Sequence, residues 1–290
     1  MSDKRILIQL DPDPHCSVFD AVVAVDSGVD HLFQYSSVEP VQVRDLVHGA
    51  MFTRGVDKLK NTAIFIGGND VGRGEALLAQ VADTFFGPMR VSVLLDANGA
   101  NTTAAAAVVS AERHIELAGA NAVMLAASGS VGQRVVRMLA TAGAKVRVAS
   151  RRLDRAQDVC DSIKTAVEDP IEVSAVETSN DDNTREALDG AEIIVSCGAA
   201  GIQILSEAEW QASPTLKVAI DLNAVPPLGI EGIAVTDKAT EHDGRFVYGA
   251  IGVGGTKMKI HKEAVRRLFT SNDLVLDADE VFAIGRELDG

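Results

Sequence analysis

Cysteine, long apolar runs and positive charge are all scarce in this chain of 290 residues. The three cysteines, Cys16, Cys160 and Cys197, show no C-x-x-C spacing, which argues against a disulfide framework or a cysteine-based zinc site. The six histidines include no H-x-x-x-H pair, so no metal is expected. No apolar run exceeds the six residues of Ala104–Val109. A membrane span needs ~20, so no membrane partner is expected. Lys and Arg number 27 against 41 Asp and Glu, a formal net charge of −14. A surface this acidic repels polyanions and argues against nucleic acid as a partner and against a polybasic membrane anchor. The start, Met-Ser-Asp-Lys-Arg before a short apolar strand and Asp11-Pro12-Asp13-Pro14, carries no secretory pattern. A cytoplasmic location is the expectation.

What the chain does have is an alternation of short apolar runs with helical periodicity, which predicts a parallel α/β architecture. Strands are expected at Ile6–Ile8, His31–Tyr35, Ala63–Ile66 and Val91–Leu95, with helices after Ser17, over Pro40–Met51 and from Arg73 to Phe86. A helix from Thr102 to about Leu117 reads as a bridge, beyond which the pattern restarts. Further strands are expected at 122–126, 146–149, 171–175, 193–196, 216–222 and 247–250, and final helices over 259–269 and 278–288. The fold class read from this is two parallel-sheet α/β domains with a cleft between them, the second a Rossmann NAD(P)-binding domain. The expected limits are 1–110, 111–265 and a C-terminal segment, 266–290, whose helices pack back on the first domain.

The stretch Ala122-Val-Met-Leu-Ala-Ala-Ser-Gly-Ser-Val-Gly aligns with the dinucleotide pattern G-x-G-x-x-G, with Ala127 in the first place. Residue 127 would make the tight turn, Gly129 would let backbone amides reach a pyrophosphate, and Gly132 would let the helix press on the sheet. Ser128, Ser130 and Val131 complete the turn at a helix N-terminus suited to an anion. The next strand ends at Ser150-Arg151-Arg152, where NAD enzymes place an acid for the ribose hydroxyls. Guanidinium groups there favour a 2′-phosphate, so NADP is the expected cofactor, with NAD as a tolerated alternative and a solvated basic turn as the plain one. Cys197 and Gly198 follow a later strand, where loops run beneath the nicotinamide ribose. Cys197 reads as packing, not as a nucleophile.

Seven stretches spread along the chain stand out, several of them loop sequences without a generic structural reason. They are Ser17–Asp20, Phe52–Gly55, Thr62–Gly68, Phe85–Pro88, Leu95–Thr103, Asn223–Ile230 and Gly249–Lys257. Through them the whole chain resembles the NAD(P)-dependent methylene-tetrahydromethanopterin/methylene-tetrahydrofolate dehydrogenases of methylotrophic bacteria. The family pattern has a glycine where Ala127 stands. The resemblance implies hydride transfer from the methylene bridge of a reduced pterin C1 carrier to NAD(P)⁺ in one-carbon metabolism, by a homo-oligomer. It places a catalytic lysine at Lys257, read here as closing a glycine-rich loop from Gly252, and adds Asn223 to the cofactor set.

Asn98, Asn101 and Thr103 lie on a strand-to-helix loop and are candidates to hydrogen-bond a pterin edge or the cofactor carboxamide, Thr103 in a catalytic role. A plain N-cap is the alternative for Asn101. Phe19 and Asp20, early in the first helix, are candidates for pterin contact, Phe19 by stacking or simply as core. Lys257 beside a developing cation is electrostatically unfavourable unless it donates to a pterin carbonyl or is neutral. Two other readings stand: a shikimate-type or folate-type NADP dehydrogenase, suggested by Ser150–Ala156, and a non-catalytic nucleotide sensor on the same fold.

Overall fold

The computed structural model describes residues 3–290. In chain order it begins β1 (Ile6–Leu10), α1 (Val18–Asp26), β2 (His31–Tyr35), α2 (Pro40–Met51), β3 (Thr62–Ile66), α3 (Val71–Thr84), β4 (Ser92–Leu95) and α4 (Ala100–Glu112). It continues with β5 (Asn121–Leu125), α5 (Ser130–Thr141), β6 (Lys145–Ser150), α6 (Leu153–Ala166), β7 (Val173–Glu177), α7 (Asp181–Leu188), β8 (Ile193–Ser196), α8 (Glu207–Gln211) and β9 (Val218–Asp221). It closes with β10 (Lys238–His242), β11 (Arg245–Tyr248), α9 (Ala250–Arg267), β12 (Val275–Leu276) and α10 (Ala278–Asp289). The chain divides into two compact units, 1–102 with 258–290, and 103–257. The limits expected from sequence, 110 and 265, fall inside α4 and α9, and so does the observed division.

The first unit holds a five-stranded sheet in the order β12-β4-β3-β1-β2, every pair parallel. β3 is buried at all five positions, the continuous apolar run that a strand covered on both faces requires. The C-terminal segment enters this sheet through β12, which pairs with β4 as Val275↔Val93 and Leu276↔Leu94. Two residues are too short a run to register as a strand in the sequence.

The second unit holds seven strands in the order β10-β11-β9-β8-β5-β6-β7, parallel except for the edge strand β10. Reversal of strand order at β5 and β8 is the doubly wound Rossmann arrangement. Its core gathers Val123, Leu125, Ile194, Trp210, Ile230 and Val247. The buried Trp210 keeps its indole N–H satisfied by the Glu231 carbonyl at 2.9 Å.

Two sequence expectations are corrected. The helix from residue 102 ends at Glu112, not Leu117. The glycine-rich segment Gly252–Lys257 is not a loop: α9 begins at Ala250. Gly249, just before the helix, and Gly252 in its first turn serve packing. A Cβ on Gly249 would lie 2.0 Å from the Ala234 carbonyl oxygen, and one on Gly252 only 1.7 Å from that of Asp237. The first turn of α9 therefore presses on the backbone of residues 234–237, and this contact outweighs glycine's poor helix propensity.

Candidate functional site

In the second unit a cavity of about 490 Å³ opens at the carboxyl ends of the strands, where the order reverses between β5 and β8. That is where doubly wound sheets bind ligands. Leu125, Ala126, Ser128 and Gly129 line it after β5, Ser150 and Arg151 after β6, Thr178 after β7, and Cys197 and Gly198 after β8. A larger cavity of about 570 Å³ lies beside α7 and α8. It sets Asp181, Asp189 and Glu209 against the single cation Arg185, a lining unsuited to an anion.

The turn into α5 divides the glycine duties. Gly129 is the N-cap and supplies no side-chain cap to the first amides of the helix. A Cβ there would meet nothing within 4 Å, so the space beside the helix N-terminus is open to a ligand. A Cβ on Gly132 would lie 2.7 Å from Ala127 Cα, so Gly132 is what lets the helix close on the turn. The left-handed residue is Ala126, at φ 55°, while Ala127 is buried. The tight turn is thus made one residue earlier than the motif implied. Ser128 offers its carbonyl to the Gln133 side-chain amide at 3.0 Å, and Ser130 and Val131 open α5.

The two adjacent arginines part company. Arg152 caps α6, and its guanidinium is spent on Asp154 through Nε–Oδ1 at 3.1 Å and a second bond from Nη2 to Oδ2. Ser150 Oγ accepts the Arg152 amide at 3.3 Å. Arg151 lines the cavity, is exposed, and has no ion pair among the described residues. Of the two, only Arg151 stands ready for an anion.

The opposite wall is braced from behind. Asp221, 1% exposed, accepts the amides of Asn223 at 3.1 Å and Ile230 at 3.0 Å. Burial pushes its carboxyl above the usual carboxylate range despite those bonds. Asn223 is buried, donates to the Ala199 carbonyl at 3.3 Å and accepts the Val225 amide at 3.0 Å, so its side chain ties two loops together. Burial, reinforced by the nearby Asp221 charge, pushes the Cys197 thiol far up, which keeps it protonated and unreactive. At Gly198 a Cβ would sit 2.2 Å from Ile204 Cδ1. Thr103 and Lys257, both half-buried, stand near the start of α4 and in α9. Thr256, just before Lys257, accepts a hydrogen bond from Arg113 Nη2 at 3.1 Å.

In the first unit the strand order reverses between β1 and β3, and the loops that follow them meet there. Asp11, fully buried at the end of β1, accepts the amides of Asp13 at 2.9 Å and Ser17 at 3.2 Å. Burial raises its carboxyl as well. Ser17 in turn caps α1 by accepting the Asp20 amide at 3.2 Å, which fixes Phe19 and Asp20 in the first turn. Phe19 is 52% exposed, with its ring centroid 6.2 Å from that of the buried His261, which stacks on Phe65. A Cβ on Gly67 would lie 3.4 Å from Asp11 Oδ2 and 3.5 Å from Asp20 Oδ2. Glycine there leaves both carboxylates room over the end of β3.

Asn98 is exposed and left-handed at φ 53°, and its amide donates to the Gly68 carbonyl at 2.6 Å. A strained polar residue at a strand end is a common mark of a ligand loop. Asn101 is different. It is buried, with its side-chain amide donating to the Leu95 carbonyl at 2.7 Å and Asp277 Oδ1 at 2.9 Å, so it anchors α4 to the strand end. The structure therefore gathers Phe19, Asp20 and Asn98 at the carboxyl ends of the strands in the first sheet, and Ser128–Gly132, Ser150, Arg151, Cys197 and Gly198 at those of the second. Sequence reasoning missed His261 and the three buried strand-end acids Asp11, Asp96 and Asp221. An acid ending or directly following an apolar strand run was the available signal.

Residues 18–98 match the family model described as methylene-tetrahydromethanopterin dehydrogenase, N-terminal, and residues 109–240 match that of shikimate / quinate 5-dehydrogenase. Bifunctional protein MdtA of Methylorubrum extorquens is 42% identical over 98% of this chain and 99% of its own. The NAD(P)-dependent methylenetetrahydromethanopterin dehydrogenase of the same organism is 30% identical over 99% of each chain. Among solved structures, quinate dehydrogenase from Corynebacterium glutamicum superposes with a TM-score of 0.50 at 15% identity, covering 98% of this chain and 99% of that one. That likeness speaks for the fold alone.

Proposed function

Because the chain belongs to the methylene-tetrahydromethanopterin dehydrogenase family, we propose that it removes a hydride from the methylene bridge of a reduced pterin C1 carrier and delivers it to NADP⁺. The observation that carries this reading is the match over almost the full length of the chain to two relatives, one of them named as a methylenetetrahydromethanopterin dehydrogenase, joined to a Rossmann cavity with a free arginine after β6.

The residues of the second unit fit the cofactor. The open N-terminus of α5 at Gly129 suits a pyrophosphate, Ser150 and Arg151 suit a phosphorylated ribose, and Gly198 with Ile204 forms the wall after β8. When bound, the nicotinamide supplies the hydride acceptor. Arg151 is the reason for preferring NADP to NAD. In the first unit Phe19 offers an exposed aromatic face and Asp20 and Asn98 offer polar groups at the same strand ends, which suits a flat pterin with hydrogen-bonding edges.

Loss of hydride from the bridge leaves an amidinium cation shared by two nitrogens, and no proton has to be removed. The protein's work is to place the bridge carbon and exclude water. The family pattern is the ground for assigning Lys257 as a hydrogen-bond donor to a pterin carbonyl and Thr103 as a second substrate contact. The shikimate-type reading draws on residues 109–240 alone, the cofactor-binding unit, and so bears on the shared fold more than on the substrate. We place the enzyme in the cytoplasm as a homo-oligomer without nucleic-acid or membrane partners. Supporting this are the net charge of −14, the lack of any helix among the described residues able to cross a membrane, and an exposed apolar stripe of Val18, Val22 and Val25 on α1.

The test is a spectrophotometric assay of the purified protein with methylene-tetrahydromethanopterin and methylene-tetrahydrofolate, each with NADP⁺ and NAD⁺. Reduction of NADP⁺ by at least one carrier, with weaker use of NAD⁺, is expected. No reduction with either carrier would remove the proposal.

A further inference from the structure

We propose that Asp154 limits the preference for NADP by holding Arg152 away from the ribose pocket, so that Arg151 alone meets the 2′-phosphate. This deepens the cofactor assignment above and rests on it. Three observations carry it. Arg152 makes a two-point contact with Asp154, in which both Nε and Nη2 donate to the carboxylate oxygens. Asp158, one helical turn beyond Asp154, adds its attraction to the same guanidinium. The cavity lining includes Ser150 and Arg151 but not Arg152.

The geometry follows from the helix start. Arg152 is the N-cap of α6 and Asp154 sits in its first turn, where an acid is favoured by the helix dipole and keeps its place. An arginine whose fork is filled by a carboxylate has no paired donors left for a phosphate. Filling that fork weakens NADP binding relative to NAD, and a chain that tolerates both cofactors is the expected result. The partners are exposed, at 65% and 60%, so the hold is modest and Asp154 acts as a tuner.

The test measures dissociation constants of NADP⁺ and NAD⁺ for the intact protein by calorimetry, independent of turnover. Arg151→Ala is expected to weaken NADP⁺ by at least about tenfold, the worth of one charge-assisted contact, with NAD⁺ little changed. Arg152→Ala in the wild-type background is expected to stay within about twofold. Asp154→Asn is expected to tighten NADP⁺ by up to about fivefold, the range an exposed ion pair allows, without moving NAD⁺. The decisive arm is the double variant D154N/R152A, which should return to wild-type affinity. Asp154→Ser, which keeps a favourable first-turn residue, gives the same comparison if the Asn variant melts early. An Asp154 variant with unchanged NADP⁺ affinity, or a gain that survives in the double variant, overturns the role of Asp154 while leaving the cofactor assignment standing. Failure of the wild type to bind NADP⁺ overturns both.

Discussion

The two glycines of the α5 turn offer a test in which stability and ligand binding should separate. At Gly132 a new Cβ meets backbone atoms of Ala127 at 2.7–3.0 Å, with no flexible side chain to give way. Substitution by alanine forces the helix off the turn, an overpacking cost of about 1–3 kcal/mol. For a domain of this size that corresponds to a fall in Tm of roughly 2–12 °C. Gly129→Ala meets nothing within 4 Å, and its backbone (φ −80°, ψ 166°) is open to any residue. Its stability should hold or rise by about 0.4–1 kcal/mol through the unfolded chain. NADP⁺ affinity should nevertheless drop by at least about tenfold, or 1.4 kcal/mol, because the methyl group occupies the ligand's approach. Thermal melts and cofactor titration of both variants make the assay. A Gly129→Ala protein that binds NADP⁺ normally, or a Gly132→Ala protein that melts with the wild type, would refute the division of duties.

Lys257→Met is expected to lower kcat by at least about a hundredfold while leaving the Kd for NADP⁺ within about threefold, as steady-state kinetics with calorimetry will show. Cys197→Ala should keep turnover within about twofold, since the protonated thiol has no chemical part, and iodoacetamide should modify the residue more slowly in the folded protein than after unfolding. Asp221 has a folded-state carboxyl raised above its ordinary 3.8. The native state therefore binds the proton more tightly than the unfolded chain, and this contribution to stability is present below about 4 and lost as pH rises through the folded value. Melts of wild type and Asp221→Asn across pH 4 to 7 should show the wild type losing more stability over that window. A constant difference between the two would count against the raised carboxyl.

Much of this molecule could be read from its residues because the local signals agree with the tertiary structure. β3 and β8 are continuous apolar runs, and they are fully buried parallel strands. Ser17 was legible as a cap because its hydroxyl accepts the amide three residues on. Legibility failed where distant contacts decide the outcome. Gly252 looks like a loop former until the carbonyl of Asp237 is found against it, and β12 exists only because β4 lies beside it. The same holds at the sites. Arg151 and Arg152 are chemically identical neighbours in the sequence, and only the Asp154 carboxylate separates the free one from the tethered one. Asn98 and Asn101 are three residues apart, yet the first faces solvent from the turn before α4 and the second is buried in the helix, donating to Asp277.

Direct hydride transfer from the C1 bridge leaves an isotopic trace. Methylene carrier deuterated at the bridge is mixed with NADP⁺ and the protein, and the reduced nucleotide is isolated and examined by mass spectrometry and NMR. One deuterium at nicotinamide C4, on a single face and in equal amount to the methenyl product, is the predicted result. Deuterium washed into solvent, or reduced nucleotide carrying none, would rule out direct transfer.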